Sequence, residues 1–177
     1  YVGQQALQRK QLLDTITSVY RLYGFTLLET PIIEKQLTLR GKGGTENDKL
    51  IYDVLSPDEQ KKEDAELGLR FDLTVPLARF AAQNGGQLQQ QLPFRRYAVG
   101  DVFRGERAQK GRYRSFVQCD ADIIGATGAV VEAEILSLTK ALFNKLRLDV
   151  RVRVNNRKIL DGLIELCGLN NEQGKGL

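Results

Sequence analysis

Residues 94–125 carry the most restrictive pattern in the chain: an extended run Phe94–Arg104, a loop Gly105–Tyr113, and a return strand that continues through Asp122. Successive side chains alternate across a strand, so Arg96, Ala98, Gly100, Val102 and Arg104 share one face. On the return strand Phe116, Gln118, Asp120 and Asp122 fall on one side, and Val117, Cys119, Ala121 and Ile123 on the other. A hairpin with one apolar wall must bury that wall, so the fold is built around a sheet packed on a core by one face. Its polar wall then faces either solvent or a ligand.

The loop favours a ligand. Arg104, Arg107, Lys110, Arg112 and Arg114 crowd eleven residues, and guanidinium forks suit bidentate capture of phosphate oxygens. Gly105 and Gly111 let a backbone approach closely, and on the return strand Phe116 can stack on a planar base while Gln118 fixes a polar ligand. The combination points to a phosphate clamp beside a selective polar pocket.

The rest of the chain supplies the frame. Leu12, Leu13, Ile16, Val19, Tyr20 and Tyr23 recur at helical spacing, and Gly24 is placed to end that helix. Phe25–Glu34 reads as a strand that Pro31 confines to an edge or a bulge. Gly41–Asn47 lacks the spacing of a P-loop and reads as a turn, Ile51–Leu55 as a short strand, and Ser56–Glu66 as a polar connector. Leu67–Ala82 reads as strand, turn and helix, with Thr74 the N-cap and Pro76 in the first turn. Asp72 and Thr74 sit at that junction, where they are either capping residues or groups pointing into a cleft. Val131, Ile135, Leu138, Leu142 and Leu146 mark a second long helix after the turn Gly125–Gly128. Asp149–Asn155 alternates Val with polar and charged residues as a strand does, and Asn156 caps a helix from Arg157 to Cys167 that Gly168 closes. The sum is an α+β fold, a mainly antiparallel sheet flanked by helices.

Composition removes several alternatives. With 42% apolar and 27% charged residues the chain is an ordinary globular mixture, and a net charge of +4 permits nucleic-acid binding without implying it. Cys119 and Cys167 are far apart and the chain has no His, so no zinc site or disulfide framework is supported. Cys119 falls on the apolar wall, where a packed thiol is expected. No leader and no long apolar run argue for secretion or a membrane span, which makes a cytoplasmic protein the expectation. The chain starts at Tyr1, has no Met, and ends in the polar stretch Asn170–Leu177; the expectation is a piece of a longer protein. Chemistry within it must rest on charge and positioning rather than on an imidazole.

Arg104-Gly-Glu-Arg and Gly111-Arg-Tyr-Arg-Ser-Phe-Val-Gln-Cys-Asp-Ala-Asp resemble motif 2 of the histidyl-tRNA synthetase family, which belongs to the class II aminoacyl-tRNA synthetases. The helix and Pro-bearing strand over about 12–34 resemble motif 1, with motif 2 at about 94–125, so residues 1–177 resemble part of a class II catalytic domain. The resemblance implies ATP-dependent activation of histidine and its transfer to tRNA(His), with Mg2+ accompanying ATP on ligands that this chain does not identify. It implies that Arg104 contacts the α-phosphate and the substrate carboxylate. Glu106 would lie near the adenine amino group, Arg112 on the outer phosphates, and Phe116 under the adenine ring. Asp72 and Thr74 would hold the ammonium group of histidine, while Gln118 and Asp122 read its side chain, Asp122 accepting from the imidazole N–H. Motif 1 would build a homodimer interface.

The chain also departs from the family pattern. Motif 3, the Arg-Gly-Leu-Asp-Tyr-Tyr segment and the anticodon-binding domain are absent, and Asp122 stands where many members have Glu. Residues 1–177 alone are therefore expected to be inactive. Two other classes fit parts of the pattern: a synthetase-like paralogue that senses histidine and regulates a partner, and a dimerising interaction module without catalysis. The first commonly lacks the ATP-contacting arginines, and the second leaves the polar hairpin wall unexplained.

Overall fold

The computed structural model describes residues 1–40, 48–57, 65–107 and 109–168. The turn expected at Gly41–Asn47 lies outside them, as do parts of the 56–66 connector and of the C-terminal stretch. The chain divides into two compact units, Tyr1–Leu146 and Arg147–Leu177.

The first unit opens with helix α1, Gln4–Leu22. Gly24, at φ +77°, turns the chain out of it, a conformation glycine adopts without steric cost. Strand β1, Thr26–Leu27, and strand β2, Ile33–Lys35, follow, then the short helix α2, Gln36–Leu39. Strands β3, Tyr52–Val54, and β4, Leu67–Leu69, lead to helices α3, Thr74–Gln83, and α4, Gly85–Gln89. The hairpin is β5, Phe94–Phe103, and β6, Ser115–Ile124, and helix α5, Ala129–Lys145, completes the unit.

These strands form two three-stranded sheets, ordered β1-β5-β6 and β2-β4-β3. Every pairing is antiparallel except that of β1 with β5, in agreement with the expected α+β, mainly antiparallel class. Phe25–Glu34 is not one strand, however. It breaks into β1 and β2, which lie at the edges of different sheets, with Pro31 in the link between them. Proline has no N–H to offer a ladder, and the chain changes sheets there.

The apolar wall of the hairpin packs under the two long helices. Val19, Tyr20, Phe25, Tyr97 and Leu138 form the buried cluster, with Ile16, Val99, Cys119, Ala121, Ile123, Ile135 and Leu142 around it. Tyr20 and Tyr97 meet with ring centres 5.5 Å apart, and the Tyr20 hydroxyl donates to the Cys119 carbonyl at 3.3 Å. Arg95 reaches from β5 to α5 with a two-pronged pair to Glu134, at 2.7 and 3.0 Å. The opposite face of the hairpin meets the turn before α3, where Leu73, Ala98 and Val102 are buried together against Phe116.

Arg70 joins the two sheets. It is buried, and its Nε donates to the Asp101 carbonyl at 2.8 Å. Its Nη1 donates to the carbonyl of Thr30 at 2.7 Å, and the Phe103 N–H donates to the Arg70 carbonyl at 3.0 Å. The guanidinium rests directly on Gly100, where any Cβ would collide with Nη2. A glycine is required at that point of β5 because the side chain of Arg70, just past the end of β4, lies on its backbone.

In the second unit, residues 149–155 form no regular structure and pair with no described strand. Alternation marks a residue's side of a strand, but a strand also needs a neighbour to take its N–H and C=O groups, and Val150, Val152 and Val154 remain exposed. The following helix, α6, Arg157–Leu166, has the expected cap, with Asn156 accepting from the Lys158 N–H at 3.0 Å. Among the described residues no helix is long and apolar enough to cross a membrane.

Candidate active site

Arg104 stands where β5 ends. Its N–H donates to the Arg114 carbonyl at 2.9 Å and closes the hairpin stem, so the described residues between 104 and 114 belong to one loop. The side chain turns inward. Nε donates to the Phe71 carbonyl at 3.1 Å, Nη2 lies 3.5 Å from Gln118 Oε1, and the guanidinium carbon sits 5.1 Å from the centre of the Phe116 ring. A cation held over an aromatic face and anchored on a backbone carbonyl is oriented before any ligand arrives.

Arg104, Glu106, Gly111, Arg112, Tyr113 and Phe116 line one cleft of about 360 Å³, a volume in the range of small-ligand sites. The four residues expected to hold ATP are thus brought together. Arg112 Nη1 lies 3.5 Å from Glu106 Oε2, a long and exposed pair that a phosphate can displace. The cleft's donors suit an anion. Among the described lining residues Glu106 is the single carboxylate, so these residues do not make a Mg2+ site. A larger recess of about 670 Å³ is lined by Gln36, Arg40, Asp48, Lys49, Ile51, Asp53 and Ala65, none of them a hairpin residue.

The residues expected to hold histidine lie along the same strand face and at the turn facing it. Gln118 Nε2 donates to both carboxylate oxygens of Asp120, at 3.1 and 2.9 Å. Arg104, Gln118 and Asp120 therefore form one polar row. Asp122 is directly across from Arg96 in the ladder, and its Oδ2 lies 2.7 Å from Arg96 Nη2 but out of line for a hydrogen bond. Burial pushes the Asp122 carboxyl up, Arg96 pulls it down, and Asp120 adds a smaller upward push.

Asp72 and Thr74 sit before and at the start of α3. Thr74 was expected to cap that helix, but the acceptor is Asp72, whose Oδ1 takes the Val75 N–H at 3.0 Å. Leu73 has already turned to near-helical angles, which moves the capping side chain two residues back from Thr74 to Asp72. Asp72 is raised chiefly by burial, against the N–H groups of Val75 and Thr74 that lower it; Asp120 raises it and Arg104 lowers it. The carboxyl is therefore within electrostatic reach of the hairpin's polar row. Thr74 is exposed.

Sequence reasoning put Asp120 on the polar face of the return strand and Arg96 on the small-residue face of its partner but gave neither a role, and it did not single out Arg70. Strand parity was the available signal for Arg96, since an arginine sharing a face with Ala98, Gly100 and Val102 must be buried with them. Cys119 lies on the core side of β6, its thiol pushed up by burial first and Asp120 second, with Arg9 opposing. A raised pKa leaves less thiolate at a given pH. Iodoacetamide at pH 8 should label Cys119 at least about tenfold more slowly in the native protein than in urea, as read by mass spectrometry.

A family model described as histidyl-tRNA synthetase matches residues 2–177. The histidine–tRNA ligase of Azobacteroides pseudotrichonymphae is 40% identical over 176 residues, a match that takes in 90% of this chain and 38% of that protein. The crystal structure of histidyl-tRNA synthetase from Nostoc sp. PCC 7120 superposes with a TM-score of 0.80 at 35% identity, over 97% of this chain and 36% of that one. A Bacillus halodurans structure, described as an ATP phosphoribosyltransferase regulatory subunit/histidyl-tRNA synthetase, superposes with a TM-score of 0.79 at 23% identity. It covers 98% of this chain and 43% of its own and shows the shared fold. The chain spans less than half the length of each of these proteins.

Proposed function

Because the chain belongs to the histidyl-tRNA synthetase family, we propose that residues 1–177 are part of the catalytic domain of a longer enzyme that activates histidine with ATP and passes it to tRNA(His). The observation that carries this reading is the single cleft shared by Arg104, Glu106, Arg112 and Phe116, joined through Arg104 and Gln118 to the carboxylate row behind it.

The histidine carboxylate attacks the α-phosphate, the bond to the bridging oxygen of pyrophosphate breaks, and pyrophosphate leaves. Negative charge gathers on the α-phosphate oxygens as the new P–O bond forms. Arg104 lies beside both reacting groups and stabilises that charge without forming a covalent intermediate. Arg112 holds the outer phosphates, Phe116 stacks on adenine and Glu106 accepts from its amino group. Asp72 and Thr74 take the ammonium end of the amino acid, and Gln118 and Asp122 take the imidazole end. Asp122 keeps 33% of its side-chain surface exposed above Arg96, which leaves room to accept from a ligand N–H. Pairing of two chains through the motif 1 region, about residues 12–34, and a cytoplasmic location complete the proposal. The regulatory alternative has less support, since the two hairpin arginines given to ATP, Arg104 and Arg112, are both present in one cleft and the Bacillus halodurans likeness carries the fold alone.

Two charge-removing substitutions test the assignment of ends. In the full-length protein Asp122→Asn should raise KM for histidine about 10- to 100-fold, the worth of one hydrogen bond to a charged group, with KM for ATP nearly unchanged. Asp72→Asn should weaken histidine and its side-chain analogues alike, because the ammonium group is common to all. ATP–pyrophosphate exchange with each substrate varied separately reads both. Equal effects of Asp122→Asn on histidine and ATP would refute the assignment of that carboxylate to the side chain.

A further inference from the structure

We propose that Arg96 is the positioning residue that sets the separation between the two ends of the amino-acid pocket. The proposal rests on the reading of Asp72, Thr74 and Asp122 given above and concerns a side chain that touches neither substrate.

Arg96 is 0% exposed. Its Nη2 lies 2.7 Å from Asp122 Oδ2 on β6 and donates to the Leu73 carbonyl at 3.1 Å. Leu73 stands between Asp72 and Thr74. One nitrogen thus touches both the strand that reads the imidazole and the turn that holds the ammonium group. Those segments are about fifty residues apart in sequence, and a histidine bridging them needs their spacing held within a fraction of an ångström.

Arg96 is also a poor choice for stability alone. Its Nε is buried without a hydrogen-bond partner, and an ion pair that leaves buried polar atoms unmet commonly contributes less than a packed aliphatic side chain would. What an aliphatic side chain lacks is a donor for Leu73 and a charge for Asp122. Burial drives the Asp122 carboxyl toward its neutral form and Arg96 opposes this, so the same contact keeps the reader an acceptor.

The test uses the full-length enzyme with Arg96→Met, Arg96→Lys and the double variant Arg96→Met/Asp122→Asn, read by pyrophosphate exchange and thermal unfolding. Arg96→Met should raise KM for histidine at least about 30-fold while KM for ATP changes less than about threefold. Arg96→Lys restores a charge near Asp122 but not the fork, and should lie between wild type and Arg96→Met. The double variant should lose clearly less than the product of the two single losses, since the two residues share one contact. Parallel rises in both KM values, or losses in the double variant that multiply, would make Arg96 a general core strut and overturn the proposal. Should Arg96→Met fail to fold, an unchanged histidine KM in Arg96→Lys overturns it equally. A wild-type enzyme without histidine-dependent exchange would refute the underlying functional reading, and this role with it; an active wild type with an indifferent Arg96 would refute this role alone.

Discussion

Arg104→Ala in the full-length protein should lower histidine-dependent pyrophosphate exchange by about three orders of magnitude or more, the scale seen when a preoriented charge stabiliser is removed from a reaction centre. The side chain makes its contacts to the Phe71 carbonyl, the Phe116 ring and Gln118. Its loss removes a charge-assisted contact to the reacting phosphate and releases the ring and the amide that it orients. The hairpin itself should survive, because the bond that closes its stem runs from the Arg104 N–H to the Arg114 carbonyl and alanine keeps it. Circular dichroism and the melting temperature should therefore stay near wild type while exchange falls. Exchange within tenfold of wild type would contradict the role given to Arg104.

The second large effect is on stability. Arg70→Met should destabilise the fold by about 3 kcal/mol, because removing one partner of a buried network leaves the others unsatisfied. The carbonyls of Thr30 and Asp101 both lose a donor. The melting temperature should fall by about 6–12 °C for a domain of this size. Gly100→Ala should act in the same direction by driving a methyl group into the Arg70 guanidinium. A wild-type melting curve for Arg70→Met would show that the two sheets are held together without it.

What could be read from sequence and what could not follow from the range of the interactions involved. The faces of β5 and β6, the end of α1 at Gly24 and the cap at Asn156 depend on residues close in the chain, and periodicity or local chemistry specifies them. Three of the four cleft residues proposed to hold ATP lie between Arg104 and Arg112 for the same reason. The failures are non-local or concern partners. Pro31 marked an irregularity, but that the chain would cross to a second sheet there depends on β4 and β5. Residues 149–155 had the alternation of a strand without a described neighbour to pair with. Asp72 and Thr74 were both visible at the start of α3; which one caps it was decided by the angles at Leu73. The contact of Arg96 with both Asp122 and Leu73 needs the register of the hairpin and the approach of a turn more than twenty residues earlier.

Strand β6 presents Phe116, Gln118 and Asp122 to the proposed site and Cys119, Ala121 and Ile123 to the core, one residue out of step. Deleting a single residue between 115 and 124 would exchange these sets, exposing the core's apolar groups and burying the site's charges. The strand therefore cannot evolve by changes of length. Single exchanges at alternate positions leave the core untouched, so the pocket can change what it selects without the fold being rebuilt.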